Sequence, residues 1–177
     1  MHRRFSYHRH TSPHSTSMAE HDQDTTKRLV ILAIDDAWRR FRASFNELRS
    51  EDADESGACG EWSVNQILWH IGAWERLLMT ALETPDDGYD YPEPDADTFN
   101  AEAISTMVDA SPREVIERLE STHRRLRDAL ANTPASHFNQ DHPRRRLIDE
   151  WSFLHYEEHA AQIAGWRIRR LPTKPTR

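Results

Sequence analysis

The sequence predicts an all-α protein, a four-helix bundle with a long crossover connection that carries a short extra helix. Three observations point there. The composition holds only five glycines, and its windows rich in Ala, Leu, Glu and Arg contain no alternating Val/Ile/Thr run of the kind a strand needs. Four long stretches place apolar residues at the helical period, each with a charged opposite face. Between the second and third of them lies an acidic, proline-containing segment, the mark of a chain that crosses over before it packs again.

At 177 residues the chain suits one domain, expected over residues 25–170, with tails at 1–24 and 171–177. The N-terminal tail sets His2, His8, His10 and His14 among Arg, Ser and Thr with almost nothing apolar, which reads as disorder. Met18 opens a more ordinary N-terminus. The formal charge is -7; because residues 1–17 carry three arginines and no acid, the remainder stands at -10. So acidic a body argues against nucleic acid as a partner. A single cysteine, Cys59, excludes an intrachain disulfide and fits a reducing compartment, the cytoplasm. No apolar run nears the roughly 18 residues that span a bilayer, so no membrane partner is expected. The expected partner is a small-molecule substrate, with a homodimer left open.

The first helix is expected from Thr25 to Arg49, with Val30, Ile34, Ala37, Trp38, Phe41, Phe45 and Leu48 as its buried stripe. Glu51 to Gly60 is acidic, ends in Gly-Ala-Cys-Gly and reads as a loop. Nothing beside Cys59 in sequence would lower its pKa, so it reads as a spectator thiol. The second helix opens at a capping box, Ser63 with Gln66, where Trp62 is placed to staple onto Ile67 or its neighbours. It runs to Glu83, where Thr84-Pro85-Asp86-Asp87-Gly88 stops it. Its stripe is Val64, Ile67, Leu68, Ile71, Trp74, Leu78 and Leu82. Glu75 falls on that apolar side, where a carboxylate must find a partner or lose its charge; a ligand histidine or a first-helix arginine would serve.

The connection from Tyr89 to Asp97 has a length that often lines a site, which makes Tyr89 and Tyr91 candidate pocket residues. A short helix is expected from Ala96 to Val108. Ser111-Pro112-Arg113-Glu114 then starts the third long helix with a capping serine and a proline at its first position. That helix carries Val115, Ile116, Leu119, Thr122, Leu126 and Leu130 inward, with His123 beside them, and ends before Thr133-Pro134. In the loop from His137 to Arg146, Arg144 and Arg145, with Arg146, are candidates for holding an anionic substrate or a cofactor carboxylate at the mouth of the bundle. The fourth helix is expected from Leu147 to Arg170, its closing arginines complementing the dipole.

Chemistry concentrates on this last helix. His155 and His159 stand four residues apart, so their imidazoles project from one face one turn apart, a spacing at which both can reach one ion. With Trp151 at zero and about 100° per residue, Leu147, Ile148, Leu154, His155, His159, Gln162 and Trp166 fall on one inward face. His70, at the edge of the second helix's stripe, is the expected third ligand; His123 ranks below it for want of a partner at helical spacing. Three neutral nitrogens leave a coordination position open, an arrangement that suits catalysis more than structure. Against this stands the ordinary reading, in which each histidine is a core residue bonded to a carbonyl.

Two segments carry a resemblance. Trp62-Ser63-Val64-Asn65-Gln66-Ile67-Leu68-Trp69-His70-Ile71-Gly72-Ala73-Trp74-Glu75 is similar to the helix-two signature of the DinB-like bundle proteins, and His155-Tyr156-Glu157-Glu158-His159-Ala160-Ala161-Gln162-Ile163 is similar to their helix-four signature. The resemblance covers about residues 25–170 and implies a divalent metal, zinc or nickel, on His70, His155 and His159. It also implies an activity among thiol-dependent S-transferases or hydrolases, with a low-molecular-weight thiol as a possible cofactor. Glu75, Glu158 and Tyr156 are the nearby candidates for catalytic proton transfer. The alternative is a non-catalytic bundle that sequesters a small molecule or metal.

Overall fold

A computed structural model describes residues 13–86 and 91–170, with side chains from residue 20 onward. Its helices are α1 (Pro13–Phe45), α2 (Ser50–Ala53), α3 (Val64–Glu83), α4 (Ala96–Ser105), α5 (Pro112–Asn132), α6 (Pro143–Ile148) and α7 (Leu154–Arg170). A 3-10 turn at Ala135–Phe138 precedes α6, and a π turn at Asp149–Phe153 joins α6 to α7. Among the described residues the one extended pairing is the isolated bridge between Cys59 and Trp62. The all-α expectation is met, and the four long elements are α1, α3, α5 and the α6–π–α7 rod. α3 packs along α5 and α1 along α7, while α4 lies on the outer side of α3 within the crossover.

Several boundaries differ from the reading above: α2 adds a turn inside the expected 51–60 loop, α4 stops at Ser105 rather than Val108, and the last rod starts at Pro143 rather than Leu147. α1 begins at Pro13, so residues 13–24, expected as tail, continue the helix; residues 1–12 and 171–177 lie outside the described residues. α1 also stops at Phe45 rather than Arg49, because Glu47 takes a positive φ of 65° that breaks the helical path. Both capping boxes form as their residues predict, Ser63 with Gln66 on α3 and Ser111 with Glu114 on α5.

The core is built from Val30, Ile34, Phe41 and Phe45 of α1, Leu119, Leu126 and Leu130 of α5, and Tyr156, Ile163 and Trp166 of α7, closed around α3. α3 is buried nearly all round, which its run of Ile, Leu, Trp, Gly and Ala permits. Burying each large aliphatic or aromatic side chain in this way contributes about 1.5–3 kcal/mol. Two indoles pin α4 to α3: Trp69 Nε1 donates to Ala103 O at 2.9 Å and Trp74 Nε1 donates to Asn100 Oδ1 at 2.9 Å.

The π turn corrects the expected face of the last helix. The Leu154 amide donates to Asp149 O, five residues back, so one extra residue is wound into the rod there. Everything after it lags by one position, about 100°. Leu154, expected inside, is 45% exposed, and Tyr156 takes its place with no exposure. The buried stripe of α7 is therefore Tyr156, His159, Ile163 and Trp166. His155 comes to the half-buried margin of that stripe, beside His70.

Candidate metal centre

His70 comes from the middle of α3, and His155 and His159 from the first turns of α7 just beyond the π turn. The structure brings the three together: one ligand nitrogen from each lies within 4.8 Å of the other two. The Nε2 atoms of His70 and His155 are 2.8 Å apart, and the rings meet nearly edge to face, 4.8 Å between centroids. Donors on a tetrahedral ion with bonds of about 2.1 Å lie about 3.4 Å apart, so these nitrogens need only small shifts to share one centre.

Hydrogen bonding prepares His159 for that role. Glu158, when ionised, only accepts, so it turns the Gln162 amide to donate Nε2–H to Glu158 Oε1 at 3.1 Å. Gln162 Oε1 is left to accept from Nδ1–H of His159 at 2.7 Å. The proton thus sits on Nδ1, and Nε2 presents its lone pair. The buried Nδ1 of His70 has no hydrogen-bond partner. With its Nε2 as a ligand, that Nδ1 carries the ring's hydrogen.

Electrostatics point the same way. Burial, with His159 next, lowers the His70 pKa to about 3, and the Asn100 side chain works weakly in the other direction. Burial, then His159 and His70, holds His155 well below its ordinary value. Burial also lowers His159, against the opposing pull of Gln162 and Glu158. At neutral pH all three are uncharged donors, the form a cation requires.

The histidines open onto a cavity of about 620 Å³. Trp62, Trp74 and Trp151 form its walls, and Glu61, Glu150 and Glu158 its charged margin. Trp62, expected to staple onto Ile67, sets its ring 4.9 Å from that of His70, and Trp74 stands 5.9 Å from His155. Cys59 also lines the cavity, where burial and the Glu158 charge push its thiol upward in pKa; it is no activated nucleophile.

The other expected residues divide. Glu158 faces the cavity. Glu75 and Tyr156 do not: the Tyr156 hydroxyl donates to Glu75 Oε1 at 2.6 Å, His123 Nδ1 donates to the same oxygen at 2.9 Å, and Trp38 stacks on His123 at 3.7 Å. Glu75 therefore finds its partners in the core, neither at a ligand histidine nor at a first-helix arginine. Burial raises its pKa and drives that of Tyr156 well up. His123, the rival ligand, is held in this cluster.

Arg144 and Arg145, expected at the mouth, serve the scaffold instead. Arg144 is 2% exposed and caps the end of α3, donating to the carbonyls of Leu82 and Thr84 and pairing with Asp86 at 3.1 Å. Arg145 binds Asp149 at 2.7 Å and the Phe138 carbonyl at 2.7 Å. Arg146 bridges Glu93 and Glu150. Tyr91 packs behind the cavity wall, 6.1 Å from the Trp151 ring, and Tyr89 lies outside the described residues.

A second group, Asp86, His137 and His142, also sets ligand atoms within 4.8 Å. Its chemistry is already taken: His137 donates to Asp86 at 2.9 Å and accepts from Arg144, whose cation a metal would have to displace. Sequence reasoning did not assign Gln162, Asn100 or the three tryptophans to the site. All but Asn100 stand inside or beside the two quoted motifs, which was the available signal.

Known proteins place the chain in a family. The profile of the mycothiol maleylpyruvate isomerase N-terminal domain matches residues 34–161, a span that contains all three histidines. Among solved structures, one titled "Sibling Lethal Factor Precursor - DfsB" superposes with a TM-score of 0.69 at 15% identity, covering 83% of this chain and 98% of that one, a likeness of fold alone. No curated protein matches the chain. By the match over most of its length, the chain belongs to the mycothiol maleylpyruvate isomerase N-terminal domain family of DinB-like helical proteins.

Proposed function

We propose that this protein is a metal-dependent transferase or hydrolase that activates a small thiol or a water at His70, His155 and His159. One observation carries the reading: three neutral imidazoles from two helices converge at the floor of a cavity wide enough for a substrate. A divalent ion such as zinc or nickel held there would supply Lewis acidity, lowering the pKa of a water or thiol to make a nucleophile at neutral pH. The chain's own groups do the rest. Gln162 keeps the His159 lone pair on Nε2. Glu158, on the cavity margin, accepts the proton that an incoming thiol or water gives up. The rings of Trp62, Trp74 and Trp151 supply apolar walls beside the histidines. The family's name points to mycothiol, so a low-molecular-weight thiol is the co-substrate of choice. The free cysteine is consistent with a reducing compartment, and we place the protein in the cytoplasm.

The test is a metal count on the full chain and on His70→Ala, His155→Ala and His159→Ala. Each variant should lose one equivalent relative to wild type; retention of that equivalent in any of them overturns the ligand set. The N-terminal histidines are common to all four proteins and cancel in the difference. A turnover assay with excess thiol and electrophile then separates an enzyme from a sequestering protein, which saturates at one equivalent.

A further inference from the structure

We propose that the cavity selects a ligand whose portion beyond the histidines is flat and either uncharged or cationic, and that it rejects a carboxylate there. The inference rests on the proposed function for the ligand's thiol end and on the cavity's walls for the remainder.

Every charged side chain on the cavity margin is an acid: Glu61, Glu150 and Glu158. Among the described residues no lysine or arginine lines it. Glu150 is answered by Arg146, which Glu93 also engages, so that guanidinium is committed. Among the described residues no basic side chain pairs with Glu61 or Glu158, and Glu158 accepts from the Gln162 amide. Beyond the proposed ion, a carboxylate in this space would meet like charge and no basic side chain. The walls favour the opposite. Trp62, Trp74 and Trp151 offer aromatic faces that hold planar apolar groups and attract ammonium. Asn100 Oδ1 already accepts from Trp74, leaving an amide N–H as what that residue has to donate, a match for a neutral carbonyl or hydroxyl.

Three thiols of one shape separate the cases: 4-mercaptobenzylamine, 4-mercaptobenzyl alcohol and 4-mercaptobenzoate, titrated into the zinc-loaded full chain and followed by the indole N–H resonances of the wall tryptophans. A net charge difference of two between the end members, felt by one or two carboxylates across the cavity, predicts about tenfold tighter binding of the amine than of the carboxylate. Glu61→Lys, outside the histidine cluster, should shrink that ratio at least about threefold with zinc content unchanged. Taking the ratio of ratios cancels the thiols' own acidities. Equal or tighter binding of the carboxylate in wild type, or a ratio unmoved by Glu61→Lys, overturns the proposal. Zinc absent from the histidines with the charge preference intact would instead remove the proposed function and leave this inference standing.

Discussion

Gln162 contacts no ion and no substrate in the proposed scheme, yet metal affinity should depend on it. Replacing it with leucine removes the acceptor of the 2.7 Å bond from His159 Nδ1 and the donor of the 3.1 Å bond to Glu158. Without an acceptor the two neutral tautomers of His159 become comparable in population, which costs about a factor of two in competent protein. The imidazole also gains rotational freedom and leaves a poorly solvated N–H unpaired, a loss of about 1–2 kcal/mol. Together these predict roughly 10- to 100-fold weaker zinc binding, the range usual for such supporting residues, or about 1.4–2.8 kcal/mol. Competition with a chromophoric chelator at neutral pH measures it. Gln162→Glu, which restores an acceptor for Nδ1–H, should recover most of the affinity. Gln162 is only half-buried, so the metal-free melting temperature of the leucine variant should barely move. A zinc Kd within twofold of wild type in Gln162→Leu would refute the tautomer argument.

Other perturbations test the surroundings. In chelated protein the lowered pKa of His70, about 3 against an ordinary 6.5, means the unfolded chain binds the extra proton first. Stability is therefore full above about pH 6.5 and falls by about 1.4 kcal/mol per pH unit below it, down toward the folded pKa. Denaturant melts between pH 7 and 5 should show a slope shallower by that amount in His70→Phe, and parallel curves would contradict the assignment. Glu75→Leu leaves the Tyr156 hydroxyl and His123 Nδ1 only their 3.3 Å contact with each other and should cost about 1–3 kcal/mol while leaving metal content at one equivalent. Loss of metal in that variant would mean the core cluster reaches the centre after all. Arg144→Met leaves the Leu82 and Thr84 carbonyls and Asp86 without their guanidinium. It should lower stability by about 3 kcal/mol with zinc affinity unaltered, checked by calorimetry and the same competition assay.

Much of this architecture was legible in the chain before any coordinates. Capping serines at 63 and 111 declared where α3 and α5 begin, because a hydroxyl at that position answers local backbone donors and needs no tertiary help. The three histidines were legible for a related reason: a pair one turn apart shares a face whatever lies around it. What stayed hidden depends on partners distant in sequence. Glu75 sat visibly on an apolar face, but its two donors come from positions 123 and 156. Arg144 reads as a solvated cation until the end of α3 is brought against it, 62 residues away in sequence. The start of α1 at Pro13 ran against a composition with almost no apolar residues, where periodicity has nothing to act on. The wheel of the last helix failed at one place only, since a uniform rotation per residue has no means of registering an added one.

That added residue ties the meeting of the three histidines to helical register. Were residues 149–153 to relax into ordinary α geometry, α7 would turn by about a quarter revolution, withdrawing Tyr156 from the core and swinging both imidazoles off His70. An ion held by all three rings would oppose that relaxation. With an ion in place, register and coordination would be coupled, so that a substitution restoring α geometry at residues 149–153 would empty the site.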